Sequence, residues 1–123
     1  MSLQGPIFIV DDDDAVRDSL KTLLSTSYDD VREFPSGQEF LDRYRRGERG
    51  CLILDLHLPG MDGSEILDRM AAASIRLPTV LITGRVDDDI RARAAQAGVV
   101  ALLDKPIEFD DLDSAVERAL AQG

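Results

Sequence analysis

The sequence predicts an α/β fold in which a doubly wound parallel sheet of five strands is flanked by five helices. Two observations predict it. Short apolar runs typical of strands buried on both faces recur four times along the chain, and a weaker strand signal at residues 30–34 makes a fifth. Between these runs, apolar residues repeat at the spacing of an amphipathic helix. Repeated strand–helix units join through right-handed crossovers, which makes the strands parallel and places helices on both faces of the sheet.

The first third of the chain is predicted to supply two strands and two helices. The first strand, residues 7–10, is an unbroken apolar run, and a helix over residues 14–26 follows it. The apolar face of that helix comprises Val16, Leu20, Leu23 and Leu24. Residues 30–34 give a short strand whose weak signal is typical of a sheet edge. Ser36 and Glu39 form a capping box that opens the second helix. Its inward side chains are Phe40, Leu41 and Tyr44.

The middle of the chain adds two strands and the third helix. Residues 51–54 are apolar and lead directly to Asp55, which indicates a buried strand. Asp62 and Glu65 cap the third helix. The buried side chains of that helix are Ile66, Leu67 and Met70. Residues 79–82 are the fourth predicted strand.

The last third holds two helices around one strand. The fourth helix, residues 87–97, has only Ile90 and a set of alanines to bury, and Gly98 ends it. So small an apolar stripe anchors a helix poorly, so this is the predicted mobile element. Residues 99–103 form the fifth strand. The closing helix presents an apolar face made of Leu112, Val116, Ala119 and Leu120.

Polar side chains stand where four of these strands end. An acidic run, residues 11–14, follows the first strand, Asp55 closes the third, Thr83 follows the fourth and Lys105 follows the fifth. The carboxyl ends of parallel strands meet at one edge of the sheet, where functional groups gather. Carboxylates held close together repel each other, and a bound divalent cation usually neutralises this repulsion. With a hydroxyl and an ammonium beside the cation, the set predicts a site for a phosphoryl group.

The bulk composition indicates one globular domain, residues 1–123. Its 123 residues are 44% hydrophobic and 31% charged, enough for a full core. A net charge of −10 argues against direct nucleic-acid binding by this segment. Cys51 is the single cysteine, so no intrachain disulfide is expected. No apolar stretch approaches the roughly 18 residues of a membrane span and no signal peptide is evident, so a cytoplasmic protein is expected.

Four segments of the chain resemble one known family. They are Ile9-Val10-Asp11-Asp12-Asp13 with Val16-Arg17, Leu54-Asp55-Leu56 through Leu58-Pro59-Gly60-Met61-Asp62-Gly63, Leu81-Ile82-Thr83-Gly84, and Lys105-Pro106. In these residues the sequence resembles the receiver domain of bacterial two-component response regulators, and it is closest to the FixJ-type branch. Any one segment is weakly specific, whereas the four in order at strand ends are very specific. The resemblance implies the CheY-like, flavodoxin-like strand order 2-1-3-4-5.

The resemblance implies a role for each site residue. Asp55 is the expected phosphoacceptor, taking its phosphoryl group from a sensor histidine kinase or a phosphotransfer domain. The expected cofactor is Mg²⁺, for which Mn²⁺ can substitute. Its direct ligands would be Asp12, Asp55 and the main-chain carbonyl of His57, while Asp11 would act largely through coordinated water. No enzyme activity is expected beyond self-catalysed phosphotransfer to Asp55 and autodephosphorylation.

The resemblance also implies a switch. Lys105 would donate to one phosphoryl oxygen, and a cis bond to Pro106 would aim it into the site. Thr83 would donate its hydroxyl to another phosphoryl oxygen only when phosphate is present. Its inward shift would then move the loop that leads to the fourth helix. Phosphorylated protein would then dimerise through the fourth helix and fifth strand. The domain would come from a longer regulator of transcription, with residues 1–5 a disordered or cloning-derived lead.

The sequence departs from the family pattern at the switch. Leu102 stands where the family usually carries an aromatic ring that swings inward on activation, so a smaller or differently placed surface change is predicted. His57 and Arg85 occupy the positions that tune phosphoryl lifetime in the family. Both are predicted to crowd the approach of water and thereby lengthen that lifetime.

A docking surface for the kinase is predicted on the first helix. Ala15, Ser19 and Thr22 lie at i, i+4 and i+7 and form a small neutral stripe that allows close approach of a partner helix. An ordinary solvent-exposed face is the open alternative.

The acidic residues also have other interpretations. Asp13, Asp14 and the run of residues 87–89 are interpreted as helix-start residues rather than metal ligands. The pair Asp11 and Asp13 faintly resembles haloacid-dehalogenase-type phosphatases, but that motif wants Thr or Val where Ala15 stands. A degenerate receiver that binds partners without phosphorylation stays open because of the leucine at position 102.

Overall fold

A computed structural model describes residues 5–58 and 60–122 of the chain. It shows one five-stranded sheet in the order β2-β1-β3-β4-β5, and every neighbouring pair of strands is parallel. The doubly wound fold predicted from the sequence is therefore confirmed, including its strand order. Of the lead expected at residues 1–5, residues 1–4 lie outside the described part.

Strands and helices alternate along the chain. The strands are β1 (Ile7–Val10), β2 (Val31–Phe34), β3 (Cys51–Asp55), β4 (Thr79–Thr83) and β5 (Ala101–Asp104). The helices are α1 (Asp14–Ser25), α2 (Gly37–Arg43), α3 (Gly63–Ala72), α4 (Asp88–Ala97) and α5 (Phe109–Gln122). Within the described residues, none of these helices is long and apolar enough to cross a bilayer.

The sheet separates two hydrophobic cores. Because successive strand residues point to opposite faces, Ile7 and Ile9 pack against α1 and α5, whereas Phe8 and Val10 pack against α2, α3 and α4. All four side chains are buried, as the unbroken apolar run predicts. On the second face, the ring of Phe8 meets that of Phe40 edge-on, with centroids 5.6 Å apart.

Helix starts follow the capping residues that the sequence indicates. Three helix starts have a side chain that accepts a hydrogen bond from the backbone N–H three residues further along the chain. The pairs are Ser36 with Glu39, Asp62 with Glu65, and Asp87 with Ile90. Asp13 caps α1 in the same way, accepting from the N–H groups of Ala15 and Val16. The interpretation of Asp13 and the run at residues 87–89 as helix-start residues agrees with this placement.

Two expectations about element composition are wrong. Leu23 was expected inside, but it is 42% exposed, because α1 rests on the sheet through Arg17, Leu20 and Leu24. Strand β5 begins at Ala101 instead of residue 99, although Val100 already donates its N–H to the Thr79 carbonyl. The small buried face of α4, formed by Ile90 and Ala94, matches the prediction of a weakly anchored helix.

Candidate functional site

Three strand ends bring two carboxylates and an ammonium together. Asp11 follows β1, Asp55 closes β3, and Lys105 follows β5. The Lys105 Nζ atom lies 3.1 Å from Asp55 Oδ2 and 3.3 Å from Asp11 Oδ2. Both carboxyl groups are almost fully buried, with Asp11 0% and Asp55 3% exposed. Residues 94 positions apart thus share one polar site at the carboxyl edge of the sheet.

A third carboxylate completes an acidic cluster. Asp11, Asp12 and Asp55 each offer an oxygen, and these oxygens lie within 4.8 Å of one another. Asp12 is exposed while the other two are buried, so the cluster opens to solvent on one side. Hard oxygen ligands in such a group suit a divalent cation, so this cluster can hold a metal ion. The predicted ligands Asp11, Asp12 and Asp55 do lie together.

Burial and charge set the protonation of the buried groups. Burial raises the pKa of Asp11, and the nearby Asp55 charge raises it further, while the N–H of Asp13 and the charge of Lys105 oppose the rise without cancelling it. Burial alone lowers the pKa of Lys105, but its hydrogen bond to Asp55 and the charges of both carboxylates raise it overall. The ammonium therefore stays charged between its two acceptors.

The segment after β3 fixes the orientation of Asp55. The His57 N–H donates to Asp55 Oδ1 at 3.0 Å, and the Leu56 N–H donates to the carbonyl of Ile82 on β4. Gly63, at the start of α3, donates to the Leu56 carbonyl at 2.9 Å. A Cβ atom on Gly63 would lie 2.9 Å from the main-chain oxygen of Asp55, which only a glycine allows.

Thr83 lies at the end of β4, and its hydroxyl bonds to the next loop. Thr83 is fully buried. Its Oγ1 atom donates to the Arg85 carbonyl at 3.0 Å and accepts from the Arg85 N–H at 3.2 Å. The same residue accepts from the Lys105 N–H through its main-chain oxygen, at 2.8 Å. Thr83 is therefore tied both to the loop that precedes α4 and to the lysine segment.

Leu102 lies on β5 beside α4. It is half-buried and lines a cleft of about 390 Å³ together with Val86, Ala94 and Val99. The cleft lies between α4, which buries few side chains, and the edge strand β5.

The peptide bond between Lys105 and Pro106 is cis.

Several of the predicted residues are exposed. His57 and Arg85 are exposed in the loops after β3 and β4. Ala15, Ser19 and Thr22 are all exposed on α1. The exposed Leu23 adjoins this stripe, since it lies four residues after Ser19.

One residue beside the site was missed as a contributor by the sequence reasoning. Arg17 is only 8% exposed and donates from Nη1 to the main-chain oxygen of Asp11 at 2.7 Å. A signal was available, because Arg17 is three residues before Leu20 and seven before Leu24, on the buried face of α1. An arginine on a buried helix face needs acceptors nearby, and residues 11–14 supply them.

The chain belongs to the response regulator receiver domain family, which it matches over residues 7–117. It is a receiver domain of the FixJ type, as its relatives show. It is 38% identical over 122 residues to the transcriptional regulatory protein FixJ of Bradyrhizobium diazoefficiens, covering 99% of this chain and 60% of that protein. It is 33% identical to the FixJ protein of Azorhizobium caulinodans, covering 95% of this chain and 56% of that protein.

Solved structures agree with this assignment. The response regulator StyR superposes with a TM-score of 0.90 at 37% identity, covering 97% of this chain and 60% of the StyR chain. The resemblance predicted from the four sequence segments is therefore confirmed. The chain spans somewhat over half the length of the curated relatives described above.

Proposed function

We propose that this domain receives a phosphoryl group on Asp55 and relays that event through α4 and β5. The observation that carries the proposal is the placement of the Lys105 ammonium between the carboxylates of Asp55 and Asp11, at 3.1 and 3.3 Å. A lysine that already holds the acceptor carboxylate is positioned to donate to the phosphoryl oxygens that replace part of that contact.

The acidic cluster fits Mg²⁺ by the chemistry of its donors, which are all hard oxygens. Asp12 and Asp55 would hold the ion with the main-chain carbonyl of His57. Asp11, whose oxygens accept from the Asp13 N–H and from Lys105, would act largely through coordinated water, as the family resemblance implies. When bound, Mg²⁺ (or Mn²⁺ in its place) neutralises charge on the transferring phosphoryl oxygens.

The phosphotransfer step needs little beyond positioning by the chain. A carboxylate oxygen of Asp55 forms a bond to phosphorus as the nitrogen–phosphorus bond of a donor phosphohistidine breaks. The departing imidazole keeps the electron pair of that bond and takes a proton from solvent. The His57 N–H holds one Asp55 oxygen at 3.0 Å, which restricts the carboxylate to one orientation for attack. Water attack on the aspartyl phosphate later reverses the modification.

The switch starts at the Thr83 hydroxyl, which donates to the Arg85 carbonyl at 3.0 Å. A phosphoryl oxygen on Asp55 is a stronger, charged acceptor and draws this donor inward. The Arg85 carbonyl then loses its partner, and the loop into α4 is released. Because α4 buries only Ile90 and Ala94, a small change at the loop is enough to move it.

At the position of Leu102 the family usually has an aromatic ring that moves inward on activation, so this part of the switch differs here. A leucine makes no hydrogen bond and sweeps less volume than an aromatic ring, so the rearrangement consists of repacking into the cleft beside Val86 and Ala94. We expect the β5 surface to change less on phosphorylation than in receivers with an aromatic ring at this position. Amide chemical shifts of free and beryllofluoride-treated protein measure this difference.

The partners follow from the same proposal. The donor is a sensor histidine kinase or a phosphotransfer domain, which locates the reaction in the cytoplasm, and the phosphorylated form pairs through α4 and β5. Two of the relatives are named as transcriptional regulatory proteins, so a transcriptional output of the longer regulator is proposed. The net charge of −10 makes direct DNA contact by this segment unfavourable.

Acetyl phosphate with Mg²⁺ tests the phosphoacceptor assignment. Intact-mass spectrometry is expected to show the gain of one phosphoryl group, which disappears with EDTA and in Asp55→Asn. Asp13→Asn is the matched control, because it removes a carboxylate from the same loop while asparagine keeps the helix cap. Phosphorylation that persists in Asp55→Asn overturns the assignment.

The same preparation separates the rival functions. Multiple turnover of a simple phosphate ester that is lost in Asp11→Asn but kept in Asp55→Asn indicates a phosphatase instead. No mass gain in the native protein, under conditions in which a known receiver is labelled, indicates a domain that binds partners without phosphorylation.

A further inference from the structure

The guanidinium of Arg17 has three acceptors on three different parts of the domain. Nη1 donates to the main-chain oxygen of Asp11 at 2.7 Å, and Nη2 bonds to the Asp14 carboxylate. Nε lies 3.5 Å from the Glu33 carboxylate on β2. The Arg17 side chain is 10% exposed and its bond to the Asp11 carbonyl is buried, whereas the carboxylates of Asp14 and Glu33 are 92% and 33% exposed. Arg17 therefore links α1, the β1–α1 loop and an edge strand at one point.

From this geometry we propose that Arg17 is a positioning residue for the divalent-cation site, an inference that rests on the proposed function. The carbonyl that Arg17 holds belongs to the peptide group joining Asp11 to Asp12. Fixing that peptide group fixes the direction in which the Asp12 side chain leaves the backbone. A second bond, from the Asp13 N–H to Asp11 Oδ1 at 2.9 Å, fixes the other side of the same turn.

Arginine suits this role for a physical reason. Its planar fork presents several donors in fixed directions, so one side chain can hold a carbonyl and two carboxylates together. Lysine keeps the charge but offers a single nitrogen, which cannot reach all three acceptors. Lys21, one turn further along α1, shows the difference. Its Nζ atom lies 3.6 Å from Glu33 on a half-exposed side chain, and no contact to the loop is seen in the described residues.

Positioning and simple charge predict opposite effects on cation binding. A positive charge near the carboxylates repels a divalent cation, so removing the charge alone tightens binding. If Arg17 positions the loop, its removal loosens Asp12, and binding weakens despite the lost repulsion. The sign of the change in Arg17→Gln therefore distinguishes the two roles.

Mn²⁺ binding, measured by electron paramagnetic resonance on the unphosphorylated protein, is the test. We expect the Kd for Mn²⁺ to rise about tenfold in Arg17→Lys and in Arg17→Gln, the size typical of losing a group that orients a metal ligand. Lys21→Gln, the matched control, removes a cation from the same helix and is expected to stay within about twofold. Unchanged or tighter binding in both Arg17 variants overturns the proposal.

Folding and the metal assignment are checked separately. Thermal unfolding of each variant is followed by circular dichroism. A variant that lacks a cooperative transition is replaced by Glu33→Gln, which removes one acceptor of the guanidinium and is expected to weaken Mn²⁺ binding by a smaller factor. An unchanged Kd in that variant also counts against the proposal. Native protein that takes up no Mn²⁺ contradicts the cation site itself, whereas equal binding by native and variant proteins contradicts only the role of Arg17.

Discussion

The ammonium of Lys105 lies 3.1 Å from the carboxylate of Asp55, although 50 residues separate them in the chain. The same nitrogen contacts Asp11, so one side chain balances two buried acids. Without a counter-charge, two ionised carboxylates this close and this buried repel strongly. The lysine therefore contributes to folding as well as to the proposed phosphoryl site, and the two contributions are separable by pH.

Lys105→Met is expected to destabilise the metal-free protein by about 1–3 kcal/mol at about pH 8, because it leaves two buried carboxylates unbalanced. The pKa of Asp11 is already raised above 3.8, first of all by burial, and it rises further without the lysine. Above 3.8 the folded form then holds more protons than the unfolded form, so the loss shrinks as pH falls. Urea unfolding at several pH values measures it.

A matched control removes a cation that has no such role. Lys21→Met changes an exposed lysine on α1 and is expected to alter the free energy of unfolding by less than about 0.5 kcal/mol. A Lys105→Met deficit that grows on acidification contradicts this account of the acidic pair.

The phosphoryl lifetime is predicted to depend on His57 and Arg85. Both side chains are exposed in the loops that follow β3 and β4, and we expect them to obstruct the approach of water to the phosphoryl group. Replacing both with alanine is expected to shorten the half-life about threefold, a barrier change of roughly 0.7 kcal/mol. Loss of ³²P from labelled protein times the reaction. Arg91→Ala on α4 is the control, and equal half-lives reject the idea.

Kinase docking is predicted on α1 along Ala15, Ser19 and Thr22, with Leu23 beside them. Within residues 5–58 and 60–122, Leu23 is the large apolar side chain that stays exposed, which gives the stripe an anchor that the sequence pattern did not indicate. Ala15→Glu is expected to slow transfer from the cognate kinase about tenfold while sparing labelling by acetyl phosphate. Ser114→Glu, at an exposed position on α5, serves as the control. Equal slowing with both donors argues against docking.

Gly63 is predicted to tolerate no side chain. A Cβ atom there would lie 2.8 Å from the Leu56 Cα atom and 2.9 Å from the Asp55 main-chain oxygen, both rigid backbone. Gly63→Ala is expected to cost about 1–3 kcal/mol, the usual cost of overpacking. Gly84→Ala, where no atom lies within 4 Å of the added Cβ, is the control. Similar unfolding midpoints for the two variants would show that α3 can simply move away.

Cys51 is predicted to report global unfolding. Burial raises the pKa of its thiol to about 12, so at about pH 8 roughly one molecule in ten thousand carries the thiolate. Alkylation by iodoacetamide is expected to proceed only as fast as the protein opens. Labelling should thus follow the same urea dependence as circular dichroism. Rapid labelling of folded protein would show that β3 opens locally.

Much of the fold and the acidic cluster could be predicted from the sequence because strand-end positions are a topological property. Once Asp11, Asp55 and Lys105 each follow an apolar run, a parallel sheet brings them to one edge. The position of Leu23 could not be predicted in this way. The apolar face of α1 is wider than the part of the helix that contacts the sheet, so one apolar residue stays exposed. Arg17 could be placed on the buried face of α1 from its spacing, but the sequence does not show that the Asp11 carbonyl and, on β2, Glu33 lie within its reach.

The small buried face of α4 has a consequence for how such a domain evolves. Because α4 buries only Ile90 and Ala94, we expect a partner protein that offers a few apolar groups to compete with the domain's own core for this helix. If α4 carries the output as proposed, a change of partner protein alters the response while the proposed phosphoryl site at the strand ends stays the same. Input and output are therefore free to diversify at different speeds.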